Sequence, residues 1–251
     1  MPSHTSASPL AHDTALPVAV EASGLCRRYG RRWALIDVSF RVQRGTLLMV
    51  AGRNGAGKST LFRVLATAIR ADRGTARIEG KDLRAEPQEV RHRIGLLSHQ
   101  TYLYDFLTAL ENLQVAARFL GRDAGRAALL PLLEEVGLAD RADDLPATFS
   151  AGMRRRLSLA RVLLKRASVV LLDEPYGQLD PPGFRLIDRL LGLLRERGAT
   201  VLMATHLLER AADRCNNGIV LEGGRLAWSG PAADLAAHSG LNLAALPGSG
   251  A

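Results

Sequence analysis

Residues 52–59 read GRNGAGKS, and this glycine-rich segment restricts the possible folds more than any other feature of the chain. A short apolar run, TLLMVA (residues 46–51), comes directly before it, and Leu61, Val64 and Leu65 follow at helical spacing. The order is therefore buried strand, loop and helix, which is the context that the pattern G-x-x-x-x-G-K-[ST] requires. We predict an α/β fold in which this loop joins a strand and a helix of the core.

The residue types of the segment suit a bound triphosphate. Glycines let backbone N–H groups turn inward around a β-phosphate, and the helix N-terminus adds the positive end of its dipole. Lys58 is expected to reach the β- and γ-phosphate oxygens, and Ser59 to offer its hydroxyl to Mg²⁺. The predicted nucleotide-binding residues are Gly52, Arg53, Asn54, Gly55, Ala56, Gly57, Lys58, Ser59 and Thr60. These features are typical of the core of a P-loop nucleoside triphosphatase.

A second apolar segment, SVVLLDEP (residues 168–175), ends in two adjacent carboxylates, Asp173 and Glu174. In a parallel sheet, such a strand can lie near the phosphate loop. Consecutive strand residues point to opposite faces, so we expect the two carboxylates to have different roles. Our hypothesis is that Asp173 holds Mg²⁺ through its water shell, whereas Glu174 faces the γ-phosphate and polarises the attacking water.

Two further polar residues follow apolar strands. His206 comes just after the segment TVLMAT, where its imidazole can donate to a γ-phosphate. Gln100 follows the segment IGLLS, where its amide can reach Mg²⁺ and the attacking water. Taken alone, His206 also fits a structural histidine, and Gln100 also fits a polar loop residue.

The remaining chain alternates between strands and helices. Short apolar segments at residues 94–98, 169–172 and 200–204 are flanked by helical segments, which predicts a mainly parallel sheet with helices on both faces. Residues 18–42 predict a small antiparallel β layer, and residues 219–228 predict a hairpin with a Gly-Gly turn.

Helices dominate from about residue 108 to residue 166. Thr108 and Glu111 form a T-x-x-E capping box at the start of one helix. Pro131 interrupts a later apolar segment, which is compatible with one kinked helix or with two helices.

Composition limits the class of protein. A chain of 251 residues with 47% hydrophobic residues can form one substantial core, and no run approaches the ~18 to 20 apolar residues of a membrane-spanning helix. Residues 1–17 lack the basic start and apolar run of a secretory signal, and Cys26 and Cys215 match no metal spacing, so we expect a cytosolic location. The net charge of +8 comes almost wholly from scattered arginines, because only three residues are lysine, so we expect no nucleic-acid partner.

The motifs resemble, in order and spacing, the complete set of ABC ATPases over residues 29–206. The positions that carry the resemblance are the loop GRNGAGKST, Gln100, the segment SAGMR at 150–154, LLDEP, Leu179 with Asp180, and His206. The resemblance implies an ATPase that binds ATP and Mg²⁺ and works on separate membrane-spanning transporter subunits. It also implies an ATP-dependent homodimer and a peripheral position on the cytoplasmic face of the membrane.

The same resemblance implies roles for four more residues. Ser150 and Gly152 would belong to a signature loop that presents N–H groups to the γ-phosphate bound by the opposite subunit. Ser150 is also a suitable N-cap for the helix that follows it. Asp180 would contact nucleotide, and Tyr29 would stack on adenine, with a core position as the alternative for Tyr29.

The signature departs from the family's usual form in two places. Ala151 stands where a second glycine is usual, and Met153 stands where glutamine is usual. Because methionine cannot donate or accept as an amide does, we expect a weaker contact between subunits. Arg53 also replaces the family's usual proline, and its side chain is expected to point away from the nucleotide.

Within the family, the segments at 98–113 and 149–164 look most like the ATP-binding subunit of the haem exporter of cytochrome c maturation. The alternatives are the ATPase of another exporter, of the drug or polysaccharide type, and a soluble ABC ATPase that acts on nucleic acid. A P-loop kinase or GTPase would lack the signature segment. The predicted organisation is a disordered tail (1–17), an ATPase domain (18–230) with a helical subdomain (about 101–166), and a C-terminal tail (231–251).

Overall fold

The computed structural model describes residues 17–237. The predicted tails at 1–17 and 231–251 thus lie outside the described residues, except for Pro17 and residues 231–237. Within this described part, no helix has both the length and the apolar character needed to cross a bilayer.

The fold contains two sheets and a set of helices. The strands are β1 (Val18–Tyr29), β2 (Arg32–Gln43), β3 (Leu47–Ala51), β4 (Arg73–Ile78), β5 (Lys81–Asp82), β6 (Ile94–Leu97), β7 (Val169–Asp173), β8 (Thr200–Ala204), β9 (Asn217–Glu222) and β10 (Arg225–Pro231). The α-helices are α1 (Lys58–Leu65), α2 (Pro87–Arg93), α3 (Ala109–Phe119), α4 (Arg126–Glu135), α5 (Ala151–Lys165), α6 (Pro181–Glu196), α7 (Leu208–Ala212) and α8 (Ala232–Ala237). Two short 3-10 helices lie at Ala139–Arg141 and Pro146–Thr148.

The larger sheet has the strand order β10-β9-β3-β8-β7-β6. Its neighbours are parallel except for β10, which pairs antiparallel with β9. This confirms the predicted parallel sheet and the predicted hairpin. Because β3, β8 and β7 are parallel neighbours, their carboxyl ends lie at one edge of the sheet, and the glycine-rich loop leaves β3 at this edge.

The side chains of the central strands alternate between two cores. In β3, Met49 packs into a core shared with α3 to α8, whereas Leu48 and Val50 pack into a core shared with α1 and the antiparallel sheet. That second sheet has the order β2-β1-β4-β5. The prediction of helices on both faces is confirmed, because α1 and α2 share one face with the antiparallel β layer and α3 to α8 cover the other.

The helical segment between β6 and β7 consists of α3, α4 and α5. The capping box at Thr108 and Glu111 is confirmed, since each side chain bonds the other residue's backbone N–H. Pro131 lies inside α4, which is a single helix. Ser150 caps α5 as predicted, accepting a hydrogen bond from the backbone N–H of Met153 at 3.2 Å.

The packed domain extends beyond its predicted end at residue 230. Residues 232–237 form α8, and its side chains Ala232 and Leu235 are buried in the core shared with α6 and α7. Ala232 and Leu235 are therefore part of the core, whereas Ala233 is exposed.

A buried asparagine holds the loop that leads into α3. Asn112 accepts a hydrogen bond from the Tyr104 N–H at 2.9 Å, and its amide donates to the carbonyls of Tyr104, Leu107 and Thr108. We expect Asn112→Ala to lower the free energy of unfolding by about 2 to 3 kcal/mol, because several part-buried backbone groups lose their partner. Urea unfolding would measure this loss.

The matched control is Gln114→Ala on the same helix, which removes one hydrogen bond to the Ala124 carbonyl at 3.0 Å. It should cost about 1 kcal/mol. Equal losses for the two variants would contradict the role given to Asn112.

Candidate nucleotide site

Two glycines allow the loop between β3 and α1 to adopt its shape. Gly52 and Gly57 have φ values of 143° and 109°, and a Cβ on either would lie within 3.0 Å of a backbone carbonyl oxygen. These oxygens belong to Leu221, beside Gly52, and Ala34, beside Gly57. Any side chain at these two positions would therefore displace the loop from its neighbours.

Lys58 is buried at the start of α1, with its ammonium folded back over the loop. Its Nζ donates to the carbonyls of Gly52 at 2.7 Å and Arg53 at 3.1 Å. Burial lowers the pKa of Lys58, and the charges of Glu174 and Asp173 act in the opposite direction. The ammonium is thus a desolvated cation close to two carboxylates.

The loop forms one wall of a cavity of about 440 Å³, within the usual range for small-molecule sites. The carboxyl ends of β6, β7 and β8 supply the opposite side. The residues that line the cavity are Ala34, Asn54, Gly55, Gly57, Lys58, Ser59, Thr60, His99, Asp173, Glu174 and His206.

The two adjacent carboxylates both line this cavity, so the prediction that they point to opposite faces was wrong. Asp173 is the last residue of β7, whereas Glu174 has left the strand in a left-handed conformation with φ 50°. The Glu174 N–H donates to the Ala204 carbonyl at 2.8 Å, which holds this turn against β8. The alternation rule fails because the strand ends between the two residues.

The two carboxylates differ in their partners. Asp173 is 5% exposed, and its Oδ1 is buried without a hydrogen-bond partner among the described residues. Glu174 Oε2 lies 2.9 Å from His206 Nδ1. The structure therefore places a paired carboxylate and an unpaired one at the same cavity.

The residues around Asp173 fit a magnesium ion. Its unpartnered oxygen and the hydroxyl-bearing Ser59 line the same cavity, and Mg²⁺ prefers oxygen ligands. Across residues 17–237 no group of three or more His, Cys, Asp or Glu side chains could hold a metal.

At the end of β6, the structure brings His99 and not Gln100 into the cavity. Gln100 is exposed and lines a neighbouring cavity of about 370 Å³. The Ser98 hydroxyl donates to the Gln100 carbonyl at 2.6 Å, which stabilises a turn directly after the strand. Because the turn sets which side chain faces the loop, the sequence contained no signal that distinguishes position 99 from position 100.

Arg155 is a residue of the site that sequence reasoning missed. In the sequence it is part of a short basic run, but the side chain is only 3% exposed and contacts the strand ends that carry the carboxylates. One signal was available, because Arg155 lies at helical spacing from the buried residues Leu159 and Val162.

Other predicted residues lie outside the cavity. Ser150 caps α5, and Asp180 caps α6 by accepting from the Gly183 N–H at 2.9 Å. A Cβ on Gly152 would lie 3.1 Å from the Gln178 carbonyl oxygen, so the two caps are neighbours. Arg53 is exposed and is not among the residues that line the cavity. Tyr29 is 44% exposed, so the alternative of a core position was wrong for it.

The phosphate loop and the Asp173-Glu174 strand end meet in one cavity, and α5, capped by Ser150, starts outside it. This architecture is that of an ATP-binding cassette. The family description "ABC transporter" matches residues 35–177, and the chain belongs to that family. It is an ATPase whose hydrolysis is coupled to transport.

Relatives of known name agree with this assignment. The chain is 40% identical to the daunorubicin resistance ATP-binding protein DrrA3 of Streptomyces coeruleorubidus, over 88% of this chain and 71% of the relative. It is 36% identical to the Nod factor export ATP-binding protein I of Paraburkholderia xenovorans, over 90% and 75%.

Solved structures also resemble the chain. The ATP-binding subunit of an ABC transporter superposes with a TM-score of 0.79 at 29% identity, covering 91% of this chain and 95% of that one. A dimeric cassette in a post-hydrolysis state with ADP and Pi superposes with a TM-score of 0.78 at 26% identity, covering 85% and 98%.

We expect Lys58→Ala to reduce ATP turnover by about 100-fold or more, because no other lysine or arginine among the described residues lines the cavity to replace this desolvated charge. ATP hydrolysis by the purified chain measures this. The matched control is Lys81→Ala, since Lys81 does not line the cavity and pairs with Glu86. Unchanged turnover in Lys58→Ala would refute the phosphate-loop assignment.

Proposed function

We propose that the chain is the ATP-hydrolysing subunit of an exporter and acts through a separate membrane-spanning subunit. The observation that carries this proposal is the cavity where Lys58, Asp173, Glu174 and His206 meet at one edge of a parallel sheet. ATP is the substrate, bound with Mg²⁺ and shared between two copies of the chain.

Lys58 and the loop bind the triphosphate. The N–H groups at the start of α1 and the Lys58 ammonium face the cavity from one side, and both favour anions. Ser59 and the unpaired Oδ1 of Asp173 are the protein groups that would hold Mg²⁺, Asp173 through water. When bound there, Mg²⁺ neutralises charge on the β- and γ-phosphate oxygens.

Glu174 is the residue that we propose activates water. Its Oε2 is engaged by His206 Nδ1, which orients the carboxylate and leaves Oε1 to accept a hydrogen bond from the nucleophile. Because Nδ1 carries the hydrogen in this pair, His206 Nε2 donates to a γ-phosphate only when the imidazole holds both protons. The pair thus positions water on one side and binds phosphate on the other.

Four predicted site residues lie outside the cavity, and we assign them to contacts that form only when nucleotide and a second copy of the chain are bound. Ser150, Gly152 and Asp180 lie at the starts of α5 and α6, where backbone N–H groups suit a γ-phosphate held by the other copy. Tyr29 offers an exposed ring for adenine at the end of β1.

The proposed contact of Gln100 with Mg²⁺ requires the turn after β6 to move, since its side chain does not line the cavity. The departures of the signature segment from the family's usual form also affect the proposed contact between two copies. Met153 is partly buried against the core, so it offers no polar group to a second copy.

The names of the relatives favour an exporter of the drug or polysaccharide type over a haem exporter. The two sequence relatives described above are named for daunorubicin resistance and for Nod factor export. Neither name refers to haem, so the closer resemblance at 98–113 and 149–164 gains no support from them. No observation favours the alternative of a soluble ATPase acting on nucleic acid.

An aromatic surface is the proposed contact with the membrane-spanning subunit. Tyr102 is 67% exposed and Phe119 is 84% exposed, and both border the cavity of about 370 Å³ between α2, β6, α3 and α5. Arg91, Arg161 and Lys165 also line this cavity. An apolar floor with cationic sides suits a short amphipathic cytoplasmic segment with an acidic residue.

We expect the chain to fractionate with membranes when it is co-expressed with its candidate membrane subunits, and to remain in the supernatant without them. Tyr102→Glu with Phe119→Glu should abolish membrane association, because two charges would enter an apolar interface. Val18→Glu, at an exposed residue of β1, is the control and should remain membrane-associated. If the division of the chain between membrane and supernatant is the same with and without the membrane subunits, the alternative of a soluble ATPase that acts on nucleic acid is favoured.

The two-copy arrangement predicts that ATP holds the dimer together and that hydrolysis releases it. Glu174→Gln should bind ATP, stop hydrolysis and accumulate a homodimer, which light scattering and size-exclusion chromatography would detect. Adding Ser150→Arg should dissociate that dimer while ATP binding persists, because the new side chain blocks the position of the other copy's γ-phosphate.

Protein concentration must be varied in this experiment, because Met153 predicts a weak dimer. A chain with Glu174→Gln that stays monomeric in saturating ATP at every concentration, with and without the membrane subunit, would refute the two-copy mechanism.

A further inference from the structure

Arg155 connects α5 to the two strand ends that form the catalytic edge of the sheet. Its guanidinium donates to the carbonyl of Glu174 at 2.7 Å, and also to the carbonyls of Asp173 and Ser98. Asp173 is the last residue of β7, Glu174 follows it, and Ser98 follows β6. One side chain therefore contacts the backbone of both carboxylates and the base of the turn that leads to His99 and Gln100.

The burial of this cation has an energetic cost that the contacts only partly offset. Desolvation lowers the pKa of Arg155, opposed by the charges of Asp173 and Glu174. No carboxylate among the described residues forms an ion pair with it, and its Nε is buried without a partner. Hydrogen bonds to three main-chain carbonyls offset part of this cost, and they fix the positions of the strand ends that carry these carbonyls.

That geometry concerns the residue proposed to activate water. Glu174 has a left-handed backbone, which is uncommon for a residue with a side chain and needs support from its surroundings. The Ala204 carbonyl holds the Glu174 N–H on one side, and Arg155 holds the Glu174 carbonyl on the other. Together these two contacts restrain the peptide groups on either side of Glu174.

We propose that Arg155 is a positioning residue that sets the orientation of Glu174 from the signature helix. Arg155 lies about one turn after Ser150 on α5, so a single rigid helix contacts the carboxylate backbone of its own copy and presents Ser150 to the other. The position of α5 in one ATP site is thereby transmitted to the catalytic carboxylate of the second site. This inference rests on the proposed function, because it requires Glu174 to act in ATP hydrolysis.

The test compares Arg155→Gln and Arg155→Lys with Arg189→Gln, an exposed arginine of α6 that serves as the matched control. For each purified chain, kcat and KM for ATP are measured together with the Kd for a fluorescent ATP analogue. Circular dichroism and urea unfolding report the folded fraction, to which kcat is normalised.

We expect Arg155→Gln to lower kcat by about 100-fold, the effect of misplacing a reacting group by about 1 Å. KM and Kd should change by less than about threefold, since Arg155 does not contact the phosphate loop. The kcat of Arg155→Lys should also remain low. A single ammonium cannot donate to all three carbonyls from the positions that the planar guanidinium occupies. If Arg155→Gln fails to fold, Arg155→Lys tests the inference in its place. A fall in its kcat with little change in its Kd would support the inference.

The outcomes separate this inference from the proposed function. If Arg189→Gln and the unaltered chain hydrolyse no ATP under any condition, the proposed function is wrong. If they hydrolyse ATP and the Arg155 variants keep their kcat, only the inference is wrong. A fall in kcat matched by an equal rise in Kd would also overturn it, because that pattern indicates general disruption of the site.

Discussion

The loop between β3 and α1 is held by close backbone contacts on two sides, and the site is arranged around it. Leu221 of β9 presses against Gly52, and Ala34 of β2 presses against Gly57. The turn of the β9–β10 hairpin also contacts both the loop and β2. The Gly224 N–H donates to the Ala56 carbonyl at 3.1 Å, and the Gly224 carbonyl accepts from the Ile36 N–H at 2.7 Å. The antiparallel sheet, the hairpin and the loop therefore form one packed unit, which explains why a small β layer accompanies the parallel sheet.

This rigid loop places a cation opposite an anionic strand edge. Lys58 occupies the loop carbonyls while Asp173 and Glu174 lie across the same cavity. A triphosphate that enters brings further negative charge toward two carboxylates, which is unfavourable in a partly desolvated site. A divalent cation held by Ser59 and, through water, by Asp173, whose Oδ1 is unpaired, would offset this charge, and the pairing of Glu174 with His206 keeps the other carboxylate oriented. The repulsion between a bound triphosphate and the two carboxylates thus explains why Asp173 and Glu174 have different partners.

The sequence predicted the parts of the site that depend on local interactions. The strand-loop-helix order at 46–65, the capping box at Thr108 and the Ser150 cap each involve residues within a few positions of one another. The direction of Glu174 and the choice of His99 over Gln100 depend on how strand ends pack against neighbouring strands. Tertiary contacts decide such positions, and periodicity carries no information once a strand has ended. Arg155 was missed for a related reason, since a basic run normally indicates a solvated surface.

On the proposed arrangement, the separation of Ser150 from the cavity explains why one copy is insufficient for hydrolysis. In this arrangement the cavity of one chain holds the proposed base Glu174, the phosphate-binding Lys58 and the metal-binding Asp173, whereas Ser150 at the start of α5 does not line it. A γ-phosphate bound there lacks the N–H donors that would stabilise its developing charge until a second copy supplies them. The caps of α5 and α6 are themselves joined, because Arg156 pairs with Asp180 at 3.2 Å. The surface proposed for the second copy therefore includes the starts of both helices, and because Arg155 of α5 contacts the backbone of Glu174, assembly and water activation depend on the same helix in this arrangement.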